Sequence, residues 1–95
     1  MESAASLLLF ELRPEEMTEN IITEGAVYRH FKGGLYRVLH IATHSETRER
    51  YVVYRALYGE GGVWVRPYEM FASPVDGKKY PDAGQTWRFE KTDTP

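Results

Sequence analysis

The chain has 95 residues, 42% apolar and 27% charged, with no cysteine and a formal charge of −2 at pH 7. That length makes one small domain with a modest core, the composition is globular rather than disordered, and the lack of cysteine excludes disulfides, zinc ribbons and thiol nucleophiles. Charge is spread unevenly: residues 1–26 carry six acids and one base, residues 27–95 eight acids and eleven bases. A mildly basic domain thus follows an acidic leader, well short of a strongly basic nucleic-acid footprint.

The leader, residues 1–24, differs in character from the rest. Ser3 to Leu12 fits a short helix with Leu8, Leu9 and Leu12 on one face, and Pro14 ends it and opens a second, expected before Ile22, with Glu15 and Glu16 in its first turn. Neither piece is long enough to be stable undocked. The extension reads as a docked helical arm, a disordered partner-binding tail, or a segment upstream of an initiator at Met17. The apolar run Leu7-Leu8-Leu9-Phe10 has Glu2 and no base before it and Glu11 after it, which argues against a secretory signal. No run approaches the roughly 18 apolar residues of a membrane span. A cytoplasmic protein is expected.

From Gly25 to Glu90 the pattern is that of a β domain. Val27 to Phe31 is a short aromatic strand, Lys32-Gly33-Gly34 a tight connection, and Leu35 to Thr43 a long strand whose loose alternation suits a bend between two halves of a barrel. Ser45 to Arg50 is a polar loop, Tyr51 to Tyr58 a third strand, Gly59 to Gly62 a turn, and Val63 to Tyr68 a fourth strand closed by Pro67. Glu69-Met70-Phe71 fits one helical turn, Ala72 to Val75 a weak strand, and Thr86 to Glu90 a last strand that would pair back. Residues 91–95 form a tail that should fray. The expected fold is mainly β: a small barrel of about five antiparallel strands with a short helical N-terminal extension.

Candidate chemistry is sparse. His40 and His44 are four apart, but on a strand rising roughly 3.3 Å per residue they stand about 13 Å from one another, so one metal cannot bridge them. His40, midway along an apolar strand, reads as a core histidine. His44, Ser45, Glu46 and Thr47 form a compact polar corner; such residues either satisfy the loop's own backbone donors or present hydrogen bonds to a ligand. Neighbours on a strand point to opposite faces, so His44 is badly placed to activate Ser45, and no nucleophile elbow is present. The Gly-rich stretches lack phosphate-loop spacing and join strands. Trp64 and Arg66 share one face, with Tyr68 beyond and Tyr54 or Tyr58 on the adjacent strand, and such a face either packs into the core or offers rings to a base or a methylated amine. His30, between aromatic and cationic neighbours, could reach the same surface as His44.

The order Tyr28-Arg29-His30-Phe31-Lys32-Gly33, Ala42-x-His44-Ser45-Glu46-Thr47, Val52-Val53-Tyr54-x-Ala56-Leu57-Tyr58-Gly59 and Trp64-Val65-Arg66-Pro67-x-x-Met70-Phe71 resembles a bacterial family, domain of unknown function 1653, over roughly residues 25–90. The resemblance implies a small SH3-like barrel and supplies no reaction. It points to His44, Ser45, Glu46, Thr47, Tyr54, Trp64 and Arg66. The family tends to end in Pro-Arg-Phe where this chain has Trp87-Arg88-Phe89, which leaves the register of the last strand open.

The expectation is a non-enzymatic binding module with no cofactor, metal or catalytic group. Its ligand would be a nucleic acid or a nucleotide-like molecule, with Arg66 and His30 on an anionic or carbonyl group, Trp64 and Tyr54 stacking, and the His44–Thr47 corner selecting by hydrogen bonds. The alternative is a protein-interaction module holding a peptide or a methylated side chain in an aromatic groove.

Overall fold

Aromatic and β-branched residues alternating with polar ones give five strands: β1 Val27–His30, β2 Leu35–Thr43, β3 Arg50–Ala56, β4 Val63–Pro67 and β5 Phe89–Thr92. One helical turn, α1 Tyr68–Phe71, lies between β4 and β5. The computed structural model describes residues 20–92. All strands pair antiparallel in one open sheet ordered β4-β3-β2-β1-β5, so the protein is mainly β, with β4 and β5 as the edges. The helices expected ahead of Asn20 and the end of the tail fall outside the described residues, and Asn20 to Ile22 are not helical.

The first four strands lie close to where the sequence pattern puts them. The third is shorter than expected: it leaves the ladder at Ala56, Leu57 N–H donates to the Leu35 carbonyl at 2.8 Å, and the chain turns through Gly59 and Gly61 at positive φ.

The C-terminal third requires two corrections. Ala72 to Val75 is not a strand: Pro74 makes a single bridge to Trp87, flanked by Val75 N–H to the Thr86 carbonyl at 2.8 Å and Arg88 N–H to the Ser73 carbonyl at 2.9 Å. Proline has no N–H to extend that ladder. The last strand begins at Phe89 rather than Thr86, because the Glu90 carboxylate accepts from the N–H groups of Thr86 and Trp87 at 2.9 and 3.2 Å and folds that segment back on itself.

A β-bulge between Val38 and His40 resets the inside-outside alternation of β2. Before it Tyr36 and Val38 face inward opposite Ala56 and Tyr54; after it Ile41 faces inward opposite Val52. His40 is turned out beside Val53 and is exposed, which corrects the expectation of a core histidine.

The core lies on the concave face, built from Ile22, Tyr28, Val38, Val52, Tyr54, Phe71 and Phe89. Pro67 opens α1, whose function is to deliver Phe71 into that core. The Phe71 and Phe89 rings stack at 3.9 Å and 5°, with Tyr28 and Tyr54 edge-on to Phe71 at 5.7 and 5.0 Å. Fully buried Tyr28 keeps its hydroxyl satisfied by accepting from Thr23 N–H at 2.9 Å. Phe89 of β5 also reaches Tyr54 of β3 at 5.6 Å, so the sheet curls until one edge meets the strand next to the other edge across the concave face.

Candidate ligand-binding site

The pairings Tyr54 with Trp64 and Val52 with Arg66 put Trp64 and Arg66 on the concave side with Tyr54. Together with Tyr36 and Tyr58 they line a cleft of about 260 Å³. Trp64 is 58% exposed, far from the core role its size would favour. Its indole lies against Gly62, where a Cβ would sit 3.4 Å from Nε1. Arg66 is half-buried: its Nε donates to the Tyr54 hydroxyl at 3.2 Å, and its guanidinium carbon stands 5.7 Å from the centre of the Phe89 ring. The guanidinium is thereby oriented while its remaining N–H groups stay available to a ligand.

The phenol oxygens of Tyr36 and Tyr58 are 2.6 Å apart, and the Tyr36 ring packs edge-on against Tyr54, Tyr58 and Phe89. Burial, then the hydrogen bond and charge of Tyr58, push the Tyr36 phenol up to about 12. The tyrosine stays neutral across the physiological range and remains a hydrogen-bond donor. No carboxylate lines this cleft among the described residues.

His30 stands behind the cleft. Its ring is edge-on to Phe89 at 4.8 Å, packs on Phe31 at 4.8 Å and faces Tyr36 at 6.5 Å, and its Nδ1 accepts from Lys32 N–H at 3.1 Å. Burial lowers its pKa below the usual 6.5, with Arg66, Arg88 and Lys32 acting in the same direction. A neutral ring with Nε2–H is the favoured form, a hydrogen-bond donor rather than a cation.

The family model described as a protein of unknown function (DUF1653) matches residues 26–91. The chain belongs to this family. A crystal structure of another DUF1653 protein, from Bordetella bronchiseptica, superposes with a TM-score of 0.62 at 35% sequence identity, covering 77% of this chain and 94% of that one. No curated protein matches.

Within the matched DUF1653 region the eight residues singled out by sequence do not form one site. Tyr54, Trp64 and Arg66 share the cleft, and His30 borders it. The corner does not line the cleft: it follows the Thr43–Arg50 rung, which stands two steps of β3 from the Val52–Arg66 rung and four from Tyr54–Trp64, about 7 and 13 Å at roughly 3.3 Å per residue. His44 Nδ1 accepts from the N–H groups of Glu46 and Thr47 at 3.1 and 3.2 Å, Thr47 Oγ1 accepts from Glu49 N–H at 3.2 Å, and His44 N–H reaches the Glu49 carbonyl at 2.7 Å. These bonds close the loop upon itself and hold Arg48 at a φ of 68°. The side chains of His44, Ser45, Glu46 and Thr47 are exposed.

Tyr36 is the cleft residue that sequence reasoning left out, while Tyr58 entered it only as a neighbour of the Trp64/Arg66 face. The shared parity of Tyr54 and Tyr58 along one run of chain was a usable signal for the latter. Among the described residues no group of three His, Cys, Asp or Glu side chains is placed to hold a metal, and no helix is long and apolar enough to cross a membrane.

Proposed function

We propose that this DUF1653 chain is a non-enzymatic binding module that recognises a nucleic acid or nucleotide-like ligand in the Tyr36, Tyr54, Tyr58, Trp64, Arg66 cleft. The observation that carries this reading is Arg66, held by the Tyr54 hydroxyl inside an aromatic cleft and beside an exposed indole. An exposed ring gives a base a stacking platform worth about 1–3 kcal/mol, and an oriented guanidinium donates to a carbonyl or phosphate oxygen. The curled sheet order, the bent β2 and the helical turn ahead of β5 support reading the fold as a small SH3-like barrel, whose curled face is a place for such a cleft.

The same residue weighs against the alternative of a methylated side chain. A caged ammonium needs aromatic faces free of competing positive charge, and Arg66 puts a cation in the cleft wall. A peptide groove thus becomes an outcome of the test rather than the favoured reading.

Fluorescence and amide-shift titration with uridine and with a thymidine hexanucleotide tests the proposal. Trp64→Ala should weaken binding by about 5- to 150-fold, the equivalent of one stacked base. Arg66→Ala should weaken it too, and hexanucleotide affinity should fall steeply with ionic strength. Unchanged binding in folded Trp64→Ala and Arg66→Ala proteins would overturn the site. Salt-insensitive capture of a peptide in place of both probes would establish the interaction-module reading.

A further inference from the structure

Behind the His30 and Tyr36 rings lies a second cleft, of about 290 Å³, between the β1–β2 turn and the loop of residues 75–80. Phe31 and Tyr80 meet edge-on at 4.9 Å on one wall, and the Lys32 ammonium lies 4.9 Å and the Lys79 ammonium 5.6 Å from the Tyr80 ring centre. Arg88 completes the lining, oriented by its Nε bond to Ser73 Oγ at 3.2 Å. The lining has one carboxylate, Asp76, and its Oδ1 already accepts from the N–H groups of Lys78 and Lys79 at 3.0 and 3.3 Å, closing its own turn. Three cations therefore face one engaged anion. Hydrogen bonding to Lys32, with Lys79 alongside, also holds the Tyr80 phenol below its usual range, in keeping with a positive local field.

We propose that this second cleft seats a backbone phosphate of a single-stranded nucleic acid whose base occupies the Trp64/Arg66 cleft. The inference rests on the binding reading above and extends it from a lone base or nucleotide to an extended strand. Two features of the geometry support the extension. The clefts lie on opposite sides of one wall, with His30 lining the cationic cleft and Tyr36 the aromatic one, so a ligand that fills both is long rather than compact. The charge is also unevenly shared, with one cation, Arg66, in the first cleft and three, Lys32, Lys79 and Arg88, in the second, which suits the second to the sugar-phosphate chain and the first, with its exposed indole, to a base.

The test uses the full chain, the thymidine hexanucleotide and uridine, which has no phosphate. Lys32 and Lys79 are exposed, so the double variant Lys32→Ala/Lys79→Ala should keep its melting temperature. Its hexanucleotide affinity should fall about 10-fold, and the slope of log affinity against log salt should become shallower by about 0.7 for each phosphate contact removed. Amide shifts of the wild-type chain should move at Lys32 and Lys79 with the hexanucleotide and stay still with uridine. A double variant with wild-type affinity and salt slope would overturn the second cleft, while the Trp64→Ala response to uridine would still decide the first. Binding of the hexanucleotide that depends on the lysines but not on Trp64 would overturn the shared-ligand arrangement. No hexanucleotide binding by the wild-type chain would overturn the second cleft, and no binding of uridine either would overturn both.

Discussion

The Tyr36 and Tyr58 hydroxyls approach to 2.6 Å, joining the start of β2 to the loop that follows β3. Tyr36 is the more buried of the pair and Tyr58 is 55% exposed, so the contact ties the exposed rim of the aromatic cleft to its half-buried wall. Tyr58→Phe removes the partner without removing the ring. The Tyr36 phenol, now held up mainly by burial, should ionise below its value of about 12, read from the Tyr36 ring Cζ shift in an alkaline NMR titration. A Tyr36 midpoint unchanged from wild type would show that the hydroxyl pair has no bearing on that ionisation.

Gly34 tests the same rim by geometry. It sits at a φ of +91°, and a Cβ there would lie 3.0 Å from a Tyr58 ring carbon, whereas at Gly33, at +104°, a Cβ meets nothing within 4 Å. Both Gly→Ala changes incur backbone strain of about 1–3 kcal/mol, but only Gly34→Ala must also displace Tyr58. Urea unfolding should rank Gly34→Ala below Gly33→Ala, and the Tyr58 ring resonances should shift in the former alone. Equal midpoints and an unmoved Tyr58 would refute the contact.

Phe71 is the residue for which α1 exists. Fully buried and stacked on Phe89, it joins β5 to the rest of the core. Phe71→Ala should cost about 3–5 kcal/mol, a large share of the stability of so small a domain. Denaturant unfolding measures this directly; a loss below about 1 kcal/mol would mean that the cavity collapses and that β5 is held by its ladder to β1.

The lowered pKa of His30 predicts a pH dependence of defined sign. Because burial, Arg66, Arg88 and Lys32 disfavour its protonated form, the unfolded chain binds this proton more readily than the folded one. Stability from this group is complete above pH 6.5 and declines as the pH falls from 6.5 towards the lowered folded value. His30 should therefore titrate below 6.5 by ring-proton NMR, and the acid-side fall in unfolding midpoint should be shallower in His30→Gln. An identical slope in the two proteins would remove His30 from the account.

The sequence disclosed the strand ladder more fully than the site. Periodicity and Gly turns located β1 to β4 because those signals are local. They failed at β5, where Glu90 turns Thr86 and Trp87 back by bonds that no alternation reveals. His40 was assigned inward because a period of two cannot anticipate the bulge that moves Ile41 into its place. At the site, Tyr54, Trp64 and Arg66 were legible as residues of one face on adjacent strands. The grouping of His44 with them was not a matter of periodicity: its ring nitrogen is engaged by the Glu46 and Thr47 amides, and residue type alone cannot show that engagement. Lys79 and Arg88 escaped notice because they lie on irregular chain far from Lys32 in sequence, although Lys78-Lys79-Tyr80 between Gly77 and Pro81 was a basic-aromatic cluster in plain view.

The bulge at Leu39 has a reach beyond its own strand. A bulge bends its strand and tightens the local twist, and here the sheet curls far enough for β5 to set Phe89 against Tyr54 and Arg66. Leu39 lines neither cleft, yet the depth of both depends on the curvature that the extra residue imposes. A chain with one residue fewer at this point would keep the side chains that line both clefts and present them on a flatter surface. Counting residues between Val38 and His40 is thus a quicker guide to which relatives keep both clefts than comparing the side chains that line them.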